Sequence, residues 1–110
     1  MKIFTRRLDK TTIFDVSGDI DFANSPELRQ SVLHEIREAY APRLVLNLSQ
    51  VRYIDSSGVA SLVEGLKASR DLGSRFILIG LSTSAREVLQ LSRLLKVFEI
   101  YENEEQALAS

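Results

Sequence analysis

Two short polar segments hold the residue types that could do chemistry: Asp19-Ile20-Asp21 and Asp55-Ser56-Ser57-Gly58. A hydroxyl beside a carboxylate suggests nucleophilic catalysis, which needs a base within hydrogen-bond reach and donors for an oxyanion. The only histidine, His34, sits between Leu33 and Glu35 in a helical pattern, and no Gly-x-Ser-x-Gly elbow is present. A serine hydrolase therefore lacks its base, and His34 reads as a surface helix residue. Asp21 and Asp55 could serve as an acid–base pair or hold a hard cation, but no His, Glu cluster or Asp-rich loop accompanies them. The simpler duties are helix capping for Asp55 and turn shaping for Asp21. Neither Gly-x-x-x-x-Gly-Lys nor Gly-x-Gly-x-x-Gly occurs, so the usual nucleotide cradles are missing. What remains is a serine, Ser56, placed where a strand and loop hand over to a helix. The first helical turn has unpaired N–H groups and partial positive charge, so it can tolerate a phosphate or form part of a docking surface. A serine between Asp and Gly at a helix start is equally ordinary capping chemistry.

The elements that position these residues are legible from periodicity. Lys2 to Arg7 gives a weak strand signal, and Thr11 to Ser17 a stronger one, rich in β-branched and aromatic residues and stopped by Gly18. The loop Asp19 to Asn24 leads to Ser25-Pro26, which predicts a helix with Ser25 as N-cap. Leu28, Val32, Leu33 and Ile36 continue it, and Pro42 closes the segment. Arg43 to Leu48 is an apolar run too short for a helix, which predicts a central strand covered on both faces. Val59, Leu62, Val63 and Leu66 form the stripe of a second helix, with Gly73 as its C-terminal cap. Gly65 inside that helix hints at close packing or a partner contact.

Arg75 to Gly80 reads as another buried strand. Ser84 with Glu87 has capping-box spacing and opens a third helix carrying Val88, Leu91 and Leu95. Its leucines exceed one narrow stripe, leaving some available to a partner. Val97 to Tyr101 alternates as a last strand, and Asn103 starts a short acidic helix. This order predicts an α/β domain with a mixed, mostly parallel sheet of four to five strands and about four helices. Working residues in such sheets lie beyond the carboxyl ends of the strands, so the 19–24 and 53–58 loops should meet at one end.

The totals narrow the function classes. A chain of 110 residues with 45% hydrophobic and 26% charged residues fits one compact domain, here residues 1–110. Lys plus Arg is 14 against 15 Asp plus Glu, which gives no electrostatic case for direct nucleic-acid binding. The Lys2, Arg6, Arg7 and Lys10 cluster reads as a solvated face balanced by acidic residues near the C-terminus. With no cysteine, disulfides and thiolate chemistry are excluded. No apolar run approaches the roughly 18 residues of a membrane span, nor does the N-terminus look like a signal peptide, so a cytoplasmic protein without membrane insertion is expected.

The stretch Asn47-Leu48-Ser49-Gln50-Val51-Arg52-Tyr53-Ile54-Asp55-Ser56-Ser57-Gly58 resembles the signature of the STAS family, the domain of anti-sigma factor antagonists and sulfate-transporter tails. Gly18-Asp19-Ile20-Asp21 looks like that family's Gly-Glu-Leu-Asp-type turn, and the later elements fall in the expected order along essentially the whole chain. The resemblance implies a non-enzymatic partner switch without cofactors. Unphosphorylated, such a domain binds an anti-sigma factor or related regulator that is also a GHKL-type serine kinase. Phosphorylation of the serine matching Ser56 ends the interaction, and a metal-dependent serine phosphatase restores it. By the same resemblance, Asp21, Asp55, Ser57 and Gly58 surround the phosphoacceptor and take part in docking. Related domains serve as cytosolic subunits that bind the ATPase of lipid or solute ABC transporters, commonly with Thr in place of the phosphorylated Ser. Monomer and weak dimer are both compatible with the sequence.

Overall fold

A computed structural model describes residues 1–110. Its elements are β1 (Lys2–Leu8), β2 (Thr11–Ser17), α1 (Ser25–Arg37), β3 (Arg43–Gln50), α2 (Ser56–Leu72), β4 (Arg75–Ile79), α3 (Thr83–Leu91), β5 (Glu99–Tyr101) and α4 (Glu104–Ala109). The five strands lie in sequence order across one sheet. β1 and β2 form an antiparallel hairpin, and the remaining pairs are parallel. Because each right-handed crossover steps in the same direction, α1, α2 and α3 all fall on one face.

The core has the same arrangement. Phe14, Val16, Leu44, Leu46, Leu48, Phe76 and Leu78 pack with Leu28, Val32 and Ile36 of α1, Leu62 and Leu66 of α2, and Ala85 and Leu89 of α3. On the opposite face Ile13, Val45, Ile77 and Ile79 are covered by Ala107 of α4. β3 is therefore central and buried on both faces, as its near-continuous apolar run predicts.

Four local expectations are corrected. Asn24, and not Ser25, occupies the N-cap position of α1, and its side chain makes no cap bond. The Asp21 carboxylate Oδ1 instead accepts the Ala23 and Asn24 amides, and the Asp21 carbonyl accepts the Ser25 amide. Ser82, and not Ser84, caps α3 by accepting the Ala85 amide. The Ser84 hydroxyl donates to the Arg52 carbonyl at 2.9 Å. With α3 phased by Ser82 and ending at Leu91, Ala85, Val88 and Leu89 form its inner stripe, whereas Leu91 is 85% exposed. The last strand is shorter than its alternation suggests: a turn bond from the Val97 amide to the Leu94 carbonyl delays pairing until Glu99.

Polar groups tie the layers together. Glu35 of α1 is buried with its carboxylate accepting from Thr12 Oγ1 at 2.7 Å and Arg7 Nη2 at 2.8 Å. Across the other face, Arg6 donates to Asp15 at 2.6 and 3.0 Å and to Glu104 at 2.6 Å, and so joins β1, β2 and α4. The Arg6 hydrogen bonds hold the Asp15 carboxyl below its ordinary range, aided by Asn47 and opposed by burial. Burial pushes Glu99 the other way, but hydrogen bonds from Arg75 and Tyr101 prevail and lower it.

Two packing sites of α2 depend on the absence of a side chain. A Cβ on Gly65 would stand 2.8 Å from Val32 Cγ1 and 3.0 Å from the Phe76 ring, so the glycine lets α2 approach α1 and β4. A Cβ on Gly58 would stand 2.7 Å from Ile54 Cγ2 and 2.8 Å from both Ile20 Cγ2 and the Ile20 carbonyl oxygen. Gly58→Ala should therefore cost roughly 1–3 kcal/mol by overpacking, since the backbone oxygen cannot swing aside. Urea unfolding measures that loss, and an unchanged midpoint would contradict the close approach.

The Arg6–Asp15 pair also sets how the fold responds to acid. A carboxyl whose folded pKa lies below its unfolded value near 4 stabilises the fold above about pH 4 and loses that contribution as pH falls through the folded pKa. Asp15→Asn should flatten the decline in stability below about pH 5, by about 1 kcal/mol or less because the pair is partly exposed. Parallel denaturant titrations from pH 7 to 2 give the comparison.

Candidate functional site

β2 and β3 run in register until Asp15–Asn47, where an irregularity shifts the next pairing to Ser17–Gln50. The chains then reconverge beyond the strands at an isolated parallel bridge between Ile20 and Ile54. The Ile20 amide donates to the Tyr53 carbonyl at 2.9 Å, and the Asp55 amide donates to the Ile20 carbonyl at 3.1 Å. Ile20 and Ile54 are buried, and Gly58 packs flat against both. The two loops that carry Asp21 and Ser56 are therefore joined by backbone bonds, apolar contact and close approach at the carboxyl end of the sheet, where the sequence expected them to meet.

Asp55 has two tasks at this junction. As the N-cap of α2, its Oδ1 accepts the Gly58 amide at 3.0 Å. Its Oδ2 accepts the Phe22 amide from the neighbouring loop at 2.9 Å. The capping role suggested by sequence is thus realised, with a cross-loop bond added. Ser56 follows as the first helical residue and is exposed. The leading amides of a helix have no carbonyl partner one turn back, so the surface at Ser56 presents N–H groups and the positive end of the α2 dipole.

The other candidates differ in availability. Ser57 is half-buried, and Gly58 is buried as the packing surface for Ile20 and Ile54. Asp21 lies on the joined loop with Oδ1 engaged by its own turn. It is therefore beside Asp55 in the fold, but it is primarily a turn-forming carboxylate. His34 lies on α1, exposed, on the element that leads away from this end. Nowhere do three or more His, Asp or Glu side chains gather in a group fit for a metal ion.

Several supporting residues are not evident from the sequence. The Ser61 hydroxyl, buried one turn into α2, bonds the Ser57 carbonyl and the Ser25 carbonyl, each at 3.2 Å, and so locks the starts of α1 and α2 together. The Arg52 carbonyl accepts Ser84 Oγ, which ties the β3–α2 loop to the start of α3. Phe22 and Tyr53, one on each of the two joined segments, are 81% and 50% exposed. A large aromatic in the Asp19-to-Asn24 loop, flanked by Asp21, was the available signal for Phe22; nothing local distinguishes Tyr53.

Comparison with known proteins agrees with this architecture. The chain is 29% identical over 101 residues to the anti-sigma-B factor antagonist of Listeria monocytogenes, a match spanning 91% of this chain and 86% of that protein. The structure of a candidate anti-sigma factor antagonist from Thermotoga maritima superposes with a TM-score of 0.91 at 23% identity, covering 97% of this chain and 92% of the other. The phosphorylated form of the Bacillus cell fate determinant SpoIIAA superposes with a TM-score of 0.75 at 21% identity, covering 98% and 97%. The family model of the STAS domain matches residues 2–107, so the chain belongs to the STAS domain family.

Proposed function

We propose that this protein is an anti-sigma factor antagonist that binds an anti-sigma factor with serine kinase activity and is released when that kinase phosphorylates Ser56. The observation that carries the proposal is the placement of Ser56: an exposed hydroxyl on the first residue of α2, beside a carboxylate already committed to capping. The Listeria relative bears the name of such an antagonist, and SpoIIAA, of the same fold, exists in a phosphorylated form. The chain itself supplies the nucleophile and no catalytic machinery. Its Ser56 Oγ would attack the γ-phosphorus of ATP held by the kinase, breaking the bond to the β-phosphate oxygen. ADP leaves, and a base on the kinase takes the hydroxyl proton. A serine phosphatase would reverse the modification, and the exchange would take place in the cytoplasm.

The physical consequence is a change of surface rather than of fold. A phosphoserine carries about −1.5 to −2 charges. Facing a partner carboxylate ~6 Å away, two negative charges cost on the order of 1 kcal/mol at the dielectric of water and 5 at an effective value of 20. Since ~1.4 kcal/mol is a tenfold change in affinity, the middle of that range breaks a micromolar complex. The start of α2 meanwhile favours negative charge, so the domain bears the phosphate without unfolding.

A second reading, a cytosolic subunit on a transporter ATPase, is favoured by one observation: Leu91 on α3 is 85% exposed, an apolar side chain with no cover. The readings separate by mutation. Under the switch, Ser56→Ala should retain kinase binding and resist phosphorylation, whereas Ser56→Asp should weaken binding at least about tenfold with an unchanged melting curve, since an acidic residue suits a helix start. Calorimetry with the purified kinase checks both variants, and equal affinities would overturn the proposal. Capture of a transporter ATPase that is lost with Leu91→Ser and indifferent to Ser56→Asp would establish the second reading.

A further inference from the structure

We infer that Phe22 and Tyr53 are the apolar anchors by which the unphosphorylated domain holds its serine kinase, an inference that rests on the Ser56 switch proposed above. Both residues adjoin the Ile20–Ile54 bridge in the chain, Tyr53 preceding Ile54 and Phe22 two residues after Ile20. Ile20 and Ile54 turn inward and are buried, whereas Tyr53 is 50% and Phe22 81% exposed. The Phe22 backbone is fixed by the hydrogen bond its N–H donates to the Asp55 carboxylate, and the Tyr53 backbone by the one its carbonyl accepts from the Ile20 amide. Two large aromatic groups are thus exposed on rigid backbone, so little ordering entropy opposes their use in binding.

The kinase is the occupant because of the reaction at Ser56. Phosphoryl transfer requires the γ-phosphorus to come within about 3–3.5 Å of the attacking oxygen, so the kinase must cover the start of α2. A standard interface buries about 800 Å² on each partner, a disc of about 16 Å radius. Tyr53 lies three residues from Ser56, at most about 11 Å along the chain. Phe22 is hydrogen-bonded to the Asp55 side chain at 2.9 Å. Both aromatics therefore fall well inside any footprint centred on Ser56. The strongest contributors to interfaces are aromatic and arginine residues near the centre, surrounded by contacts that exclude water. The phosphoacceptor gains its charge beside this centre, where water exclusion makes a new charge most costly.

Tyr40 provides the control. It is 71% exposed but precedes β3, at the opposite end of an eight-residue strand, roughly 23 Å from the site at 3.3 Å per residue. The kinase is defined by its activity: the purified protein that transfers phosphate from ATP to the wild-type chain and not to Ser56→Ala. Phe22→Ala and Tyr53→Ala should each raise its Kd, and the KM of the chain as its substrate, by roughly 30-fold or more. Tyr40→Asn, which suits the positive φ of 53° there, should leave both unchanged. Phe22→Ala should melt as wild type, because it removes little buried surface, whereas Tyr53→Ala, which truncates a half-buried ring, should melt somewhat lower and still be folded at the temperature of the binding measurement. Wild-type Kd and KM in Phe22→Ala and Tyr53→Ala, with Ser56 still phosphorylated, would overturn the anchors and leave the switch intact. A shift in oligomeric state on sizing columns, without loss of kinase affinity, would make the patch a self-association surface and likewise overturn the inference. Failure of any kinase to modify Ser56 would remove the switch and the anchors together.

Discussion

The missing side chain at position 58 is the constraint on which the site depends. Gly58 rests against Ile20 and Ile54 so closely that one added carbon would overlap the carbonyl through which Ile20 binds the Asp55 amide. Only then can the first turn of α2 sit directly on the bridge between the two loops. That position lets one Asp55 carboxylate reach the Gly58 amide and the Phe22 amide together. Ser61 extends the same closure to α1 through the Ser25 carbonyl. The exposed serine is consequently presented by a turn fixed from beneath, from the side and from the following helical turn.

The rest of the sheet supports this end in two different ways. On the helical face, apolar burial dominates, with Leu44, Leu46 and Leu48 inserted between α1, α2 and α3. The other face has only a six-residue helix for cover, so charge pairs assist the small apolar strip beneath Ala107. Arg6 binds Asp15 and Glu104, Arg43 reaches the Ala107 carbonyl, and Arg75 pairs with Glu99. Partly exposed pairs of this kind add little individually. Their value here is directional: Arg6 through Glu104 and Arg43 through the Ala107 carbonyl hold α4 in one place on a face with too few apolar contacts to specify it.

Sequence legibility followed the range of the interaction. Short-range signals succeeded where one local interaction decides the geometry, as with Asp55 capping α2, Gly73 ending it at φ 70°, and Asn103 capping α4. The apolar run of β3 was equally clear, because burial on both faces leaves no alternation to misread. Capping failed at α1 and α3, where several candidate residues adjoin: Asp21 and Asn24 compete with Ser25, and Ser82 competes with Ser84. Tertiary bonds chose between them, most plainly when the Arg52 carbonyl took the Ser84 hydroxyl. Leu91 resembles core in composition, but a two-residue offset from Leu89 turns it to the opposite face of its helix. Tyr53 was invisible for a related reason, since its exposure depends on the register of a single bridge formed with a residue 34 positions earlier. The pairing of the Asp21 loop with the Ser56 loop was foreseeable only because strand order and crossover handedness place both at the carboxyl end of the sheet.

This division of labour bears on how a phosphate at Ser56 can act. The Gly58 amide in the first turn of α2 is already bound by Asp55, and the loop that carries Asp21 is already closed by bonds involving Ile20, Tyr53 and Phe22. A phosphate arriving at Ser56 meets a favourable helix dipole and the free amides of the first turn, and it displaces no bond that holds the fold. It therefore has little differential free energy with which to drive a change in backbone, since a ligand shifts a conformational equilibrium only by the difference in its interaction with the two states. Its full charge is instead available to whatever covers the site. A rigid carrier makes the modification legible at the surface, and rigidity at this point follows from a glycine that brings a helix start onto a bridge between two loops.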